Sequence, residues 1–382
     1  AIDAVEQAKS GHPGMPMGMA DVATVLYQRF LKFNPLDPHW PDRDRFVLSA
    51  GHGSMLLYAV NYLTGYEKMT IEQIKNFRQL HSLTAGHPEI NHDAGIEMTT
   101  GPLGQGIATA VGFALAERML NARFGNDLVN HKTYVMCGDG DMMEGISHEA
   151  CSLAGHLKLG NLIVMYDDND ISIDGPTSLS FTEDVLKRFD SYGWATSRVD
   201  GHDFAAIESA LAAAQNSDKP VLIACKTKIG FGSPNKQGTS GVHGSPLGSE
   251  ETTAARNHLG WTAAPFEIPA DILHAWRAVG TRGQTESYAW QKRLESSAQK
   301  AEFEKALDPN VSDIVTAALA DAKAAIATDK PKLATRASSG KVLESLVPKL
   351  AQLVGGSADL TPSNNTKTKG PDVISATNGY KG

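Results

Sequence analysis

A doubly wound, mostly parallel α/β sheet is the fold class predicted by the first 230 residues. Short apolar runs alternate there with amphipathic stretches, the pattern of a sheet sandwiched by helices. The amphipathic stretches keep a 3.6-residue period and carry Gly or Asn near their ends, as helices do. Small-residue loops follow the apolar runs, where ligands bind in open α/β sheets.

Taken in order, Ala1–Ala8 already presents apolar residues on one helical face, and Ala20–Phe30 is the next helix. Arg45–Ser49 is a buried strand, followed by a helix over Ile107–Leu120. Thr133–Cys137 and Leu162–Tyr166 are strands separated by a helix over Ser147–Leu157. Phe204–Gln215 is a helix and Val221–Cys225 the fourth buried strand. Residues 228–248 are too rich in Gly, Ser and Pro to form a regular element, and loops of that length are often functional. Pro269 to about Ala327 is Ala/Lys/Glu-rich and reads as a helical connector closed by Lys330-Pro331. Lys341–Leu350 is a short helix and Leu353–Leu360 a strand running into a loop, the start of a second α/β domain. The expected divisions are therefore 1–268, 269–330 and 331–382. The chain opens without Met on a helix already under way, so a fragment is expected.

At roughly 150 residues per domain, 382 residues make two or three domains. Hydrophobic residues at 41% and charged residues at 20% are those of an ordinary folded protein. Thirty-five Lys and Arg against 43 Asp and Glu leave a formal charge of -8, with no basic excess for a nucleic-acid backbone. No run approaches the roughly 20 apolar residues of a membrane-spanning helix, and no signal segment opens the chain. A soluble, cytoplasmic protein is expected. Cys137, Cys151 and Cys225 lack metal-ligand or disulfide spacing and read as free thiols, Cys137 and Cys225 lying within strands.

Three constellations carry chemistry. Gly138-Asp139-Gly140 follows a buried strand and precedes a helix, and Asn169 lies just past the next strand. A right-handed crossover sets the two strand tips side by side. The Asp139 carboxylate, the Asn169 amide and a main-chain carbonyl near Ile171 then converge, an oxygen set suited to Mg²⁺ or Ca²⁺ completed by phosphate oxygens. Asp-Gly is also a common turn, and spacing alone leaves both readings open. Gly101-Pro102-Leu103-Gly104-Gln105-Gly106 runs into a helix whose free N–H groups attract phosphate, although ordinary helix packing accounts for it equally. Finally, His12, His52, His87 and His243 all sit in Gly-flanked loops. Glycine permits close approach of a ligand, and a neutral imidazole can donate, accept or shuttle a proton. Zinc spacing is absent among them, and His148-Glu149-Ala150-Cys151-Ser152 lacks the second His of a zinc helix.

Together these segments resemble the transketolase family of thiamine diphosphate enzymes over nearly the whole chain. The resemblance rests on KSGHPGMPMGMAD (Lys9–Asp21), FVLSAGHGSML (Phe46–Leu56), GPLGQG (Gly101–Gly106), GDGDMMEGISHEACSL (Gly138–Leu153), GFGSPN (Gly230–Asn235) and GGSADLTPSN (Gly355–Asn364). It implies the thiamine diphosphate-binding fold, with residues 1–268 as the diphosphate-binding domain and 331–382 as the beginning of the pyrimidine-binding domain. Asp139, Asn169 and the Ile171 carbonyl would hold the metal, Mg²⁺ or Ca²⁺, against the diphosphate. His52, Gly101, Pro102, Leu103, Gly140, Asn169 and His243 would contact thiamine diphosphate. His12, His87 and His243 would line the sugar channel, with His12 and His243 the candidates for the donor hydroxyl proton. Arg336 and Ser363 would grip a sugar phosphate, with Asp359 in the same signature, and Glu144 would link two subunits.

The implied reaction moves a two-carbon ketol unit from a ketose phosphate to an aldose phosphate in the pentose phosphate pathway, in a homodimer. The family's activating glutamate falls beyond Gly382, so a missing carboxyl-terminal portion or second chain is the implied partner. Ser240 stands where many relatives carry a second His. A non-catalytic binding half is the competing reading. Another is a different thiamine enzyme, such as deoxyxylulose-phosphate synthase or a 2-oxo acid dehydrogenase component, against which the channel histidines and Arg336 argue.

Overall fold

The computed structural model describes residues 1–382. Seven strands form: β1 (Arg45–Leu48), β2 (Thr133–Gly138), β3 (Leu162–Asp168), β4 (Ile171–Ser172), β5 (Gly175–Pro176), β6 (Ala195–Asp200) and β7 (Val221–Lys226). Five make one sheet in the order β1-β2-β3-β7-β6, and every neighbouring pair is parallel. The sheet is thus wholly parallel where a mostly parallel one was expected. β4 and β5 form a separate antiparallel ladder beyond the tip of β3.

Alternate residues of each strand face opposite sides. Phe46, Leu48, Tyr134, Met136, Ile163, Met165, Val221 and Ile223 enter one core with apolar residues of helices Ala20–Val25, Ser54–Thr64 and Phe204–Ala214. Val47, Val135, Val164 and Leu222 point the other way and are equally buried. The four buried strands expected in the first 230 residues all form. β6 was not expected: its residues Ala195-Thr196-Ser197-Arg198-Val199-Asp200 are half-exposed or exposed, as an edge strand allows.

The expected helices form with small differences of extent, over Gln105–Phe124, Gly145–His156 and Phe204–Ala214. Residues 20–30 divide into an α-helix to Val25 and a wider π turn over Leu26–Phe30. The three cysteines are buried free thiols.

The chain separates into two compact units, residues 1–121 with 125–291, and residues 122–124 with 292–382. In the second, helices Lys300–Leu307, Ser312–Asp329 and Thr335–Leu346 are followed by the short helix Thr361–Asn364. Phe124 packs edge-on against Phe303 at 5.2 Å. The strand expected over Leu353–Leu360 does not form. Those residues are exposed, and no neighbouring strand supplies the hydrogen bonds an extended segment needs.

Candidate active site

Every strand-tip loop expected to carry chemistry lies at the carboxyl edge of the sheet in the first unit. β2 and β3 pair so that Gly138 stands opposite Asp167, which puts Asp139 beside the tip of β3. The Asp139 carboxylate is buried, and Tyr166 donates a hydrogen bond to its Oδ1. Its Oδ2 has no partner. Burial, together with Asp167, Asp168 and Asp170 close by, pushes the Asp139 carboxyl up to about 7, against the lowering by Tyr166. Asp167, pushed up to about 6 by burial, accepts hydrogen bonds from Thr227 and from Asn169 Nδ2, the latter at 3.0 Å. Asn169 Oδ1 accepts from the Ile171 N–H at 2.9 Å and keeps a second lone pair. An uncompensated buried carboxylate among other acids is a setting that a hard cation relieves.

A residue the sequence reading passed over joins three of the loops. Asp141 is fully buried. Its Oδ1 accepts from Ser49 Oγ at 2.7 Å and from the Gly104 N–H at 2.8 Å, while Oδ2 accepts from the Gly138 N–H at 3.0 Å. Ser49 Oγ in turn accepts from the Ile107 N–H at 3.0 Å. One carboxylate thereby ties the tips of β1 and β2 to the glycine loop and the first turn of the helix behind it. Gly106 is required by this arrangement, since a Cβ there would stand 2.5 Å from Ser49 Cα. Gly140 packs equally closely on Leu103, where a Cβ would come within 2.7 Å of Cδ1.

The four histidines, separated by up to 231 positions in sequence (12 to 243), converge. The His12 ring lies 5.2 Å from His52, 6.4 Å from His87 and 5.9 Å from His243, and His52 stacks on His243 at 5.1 Å. His87 also rests against Gly101, bringing the glycine loop into the same wall. Burial is the first cause holding all four below the ordinary imidazole range, His12 at about 4 and His52 at about 3. They are neutral near pH 7. Nδ1 of His12 and Nδ1 of His243 are buried without a partner. Gly244 lies between His12 and Ile173, so the segment after β3 approaches the cluster.

Pro102 opens the first turn before the helix, accepting from the Gln105 N–H at 3.3 Å. Glu144 is exposed between two helices, with its Cβ against Gly104. Arg336, Ser363 and Asp359 are exposed in the second unit. Helix Thr335–Leu346 meets the segment after Ser363 through Gly340 and Asn365, and Asp359 takes a left-handed φ of 57°. Ser240 begins the short helical turn Ser240–Val242 immediately before His243.

Known proteins match this chain closely. The family model described as "Transketolase, thiamine diphosphate binding domain" matches residues 1–332. The transketolase of Cereibacter sphaeroides is 57% identical over 370 residues, covering 97% of this chain and 56% of its own length. Transketolase 1 of Escherichia coli K12 is 52% identical over 384 residues, covering 98% of this chain and 58% of its own length. The crystal structure of transketolase from Campylobacter jejuni superposes with a TM-score of 0.88 at 44% identity, over 96% of this chain and 56% of that one. The chain therefore spans little more than half the length of the relatives it matches. With the strand tips, glycine loop and histidine cluster in place, and with agreement of this height along nearly all its residues, the chain belongs to the transketolase family.

Proposed function

We propose that this chain supplies the diphosphate- and metal-binding half of a transketolase site, together with part of its sugar channel. The observation that carries the reading is the convergence of four neutral imidazoles, joined through the glycine loop (His87 on Gly101, Leu103 on Gly140) to the tip of β2, where a buried carboxylate is half-partnered. Thiamine diphosphate, when bound, supplies the electron sink that ketol transfer needs. Asp139, Asn169 and the Ile171 carbonyl would hold Mg²⁺ or Ca²⁺. The unpartnered Asp139 Oδ2 supports this, although no three His, Cys, Asp or Glu side chains are grouped to hold an ion. His52, Gly101, Pro102, Leu103, Gly140 and Asn169 line the cofactor's place.

His12 and His243 take the donor hydroxyl proton. A neutral ring with an unpartnered Nδ1 is competent to accept one. His87, seated on the glycine loop, completes the channel wall for sugar hydroxyls. Arg336 and Ser363 grip a sugar phosphate, for which a planar guanidinium is suited; Asp359 belongs with them. Glu144, exposed beside the glycine loop, contacts a second subunit in a homodimer. Residues 1–268, 269–330 and 331–382 are taken as diphosphate-binding domain, connector and the beginning of the pyrimidine-binding domain. No helix is long and apolar enough to cross a membrane, and a cytoplasmic place is proposed.

His243→Ala in a full-length version tests the reading. Turnover should fall by roughly 10²–10⁴-fold, the usual scale for a lost general base, with thiamine diphosphate affinity changed far less. Equal losses in both would remove the proton role.

A further inference from the structure

We infer that Arg78 is a positioning residue for the sugar channel: its guanidinium clamps the His12 loop to the His87 loop and holds a fixed positive charge beside both rings. Arg78 Nη1 donates to Ser10 Oγ at 3.0 Å, two residues before His12. The same guanidinium lies flat on Gly86, just before His87, so closely that a Cβ there would stand 3.0 Å from Cζ. Its neighbour Phe77 does the corresponding thing at Gly11, where a Cβ would meet the ring at 2.8 Å. Two consecutive side chains thus each press on a glycine that precedes a channel histidine.

The backbone is committed to this arrangement. Arg78 has a left-handed φ of 62°, and its N–H donates to Thr84 O at 2.9 Å. Such a conformation in a residue with a side chain persists only where its surroundings over-determine it. The His87 loop is tied from its other side too, by Ser54 Oγ to Gly86 O and Tyr58 Oη to Ala85 O, both at 2.9 Å.

The charge is also unusual. No carboxylate pairs with Arg78, and its Nε is buried without a partner. His12 faces Arg78, His52, His87 and His243, and His87 faces His12 and Arg78; Arg78 and Glu89 both act on Tyr58. After burial, Arg78 is among the causes that keep His12 and His87 neutral. Neutral rings are the form able to accept a proton, so the clamp would set their place and add to the neutral state that burial already favours. This inference rests on the reading of His12 and His87 as channel groups.

Its test does not require activity. Histidine ring NMR titrations of the full chain should show His12 and His87 midpoints rising by on the order of one pH unit in Arg78→Met. Arg78→Lys, which keeps the charge, should hold the midpoints near wild type. Arg78→Gln, neutral but still a donor toward Ser10, covers a failure of the Met variant to fold and should show the same rise. Unshifted midpoints in folded neutral variants would overturn the inference. A shift without thiamine diphosphate binding would instead count against the proposed function alone.

Discussion

Asp141→Ala removes the single acceptor that joins three loops, and the cost can be worked from its partners. The Gly104 and Gly138 N–H groups lose their acceptor, and the Ser49 hydroxyl keeps only the bond it accepts from Ile107. Each buried group left unsatisfied costs roughly 1–3 kcal/mol. Against that, burial holds the Asp141 carboxyl above its usual range despite three hydrogen bonds, so removing the charge returns part of the loss. A net destabilisation of about 2–4 kcal/mol is expected. In a unit of this size this corresponds to a thermal midpoint lower by roughly 3–7 °C. Asp141→Asn should lose about 1–3 kcal/mol, because one of its amide faces must then oppose an N–H donor. Urea and thermal unfolding at pH 7 measure both. An Ala variant within about 0.5 kcal/mol of wild type, the ordinary scatter of a surface change, would refute the reasoning.

Two further outcomes follow from the same geometry. Gly106→Ala should destabilise by about 1–3 kcal/mol, because its Cβ meets main chain at 2.5 Å that cannot rotate away. Gly112→Ala in the same helix, with nothing within 4 Å, should be neutral or stabilise by up to ~1 kcal/mol. The histidines give a pH dependence. Their folded values lie below the unfolded one, so the unfolded chain takes up protons that the folded chain refuses. Stability is then complete above about 6.5 and falls as pH drops toward about 4 for His12 and about 3 for His52. Urea midpoints from pH 8 to 4 should trace this limb, and His52→Gln should flatten it; an unchanged limb would assign the acid sensitivity elsewhere.

The sheet was legible where burial leaves a composition signal. β1, β2, β3 and β7 are apolar runs because neighbours cover both their faces. β6 was not, since Thr196, Ser197 and Arg198 stand half in solvent, where the other edge strand, β1, is covered, and it carries no apolar run. The opposite error arose at Leu353–Leu360, where local apolar character suggested a strand that has no partner. In the site, glycine-flanked histidines could be singled out one by one, but their convergence is a property of the fold. Asp141 sat inside the very motif that pointed to Asp139. Its role depends on Ser49 and Gly104, 92 and 37 positions away, and no local pattern records such bonds. Arg78 is hidden for the same reason: its partners Ser10 and Gly86 lie on different loops.

Calorimetric titration of thiamine diphosphate into the chain, with and without Mg²⁺, for wild type and Asp139→Ala, tests the strand-tip metal site most directly. Wild type should bind only when Mg²⁺ is present, and the variant should give no binding heat in either condition. Mg²⁺-dependent binding of undiminished affinity in the variant would contradict the account.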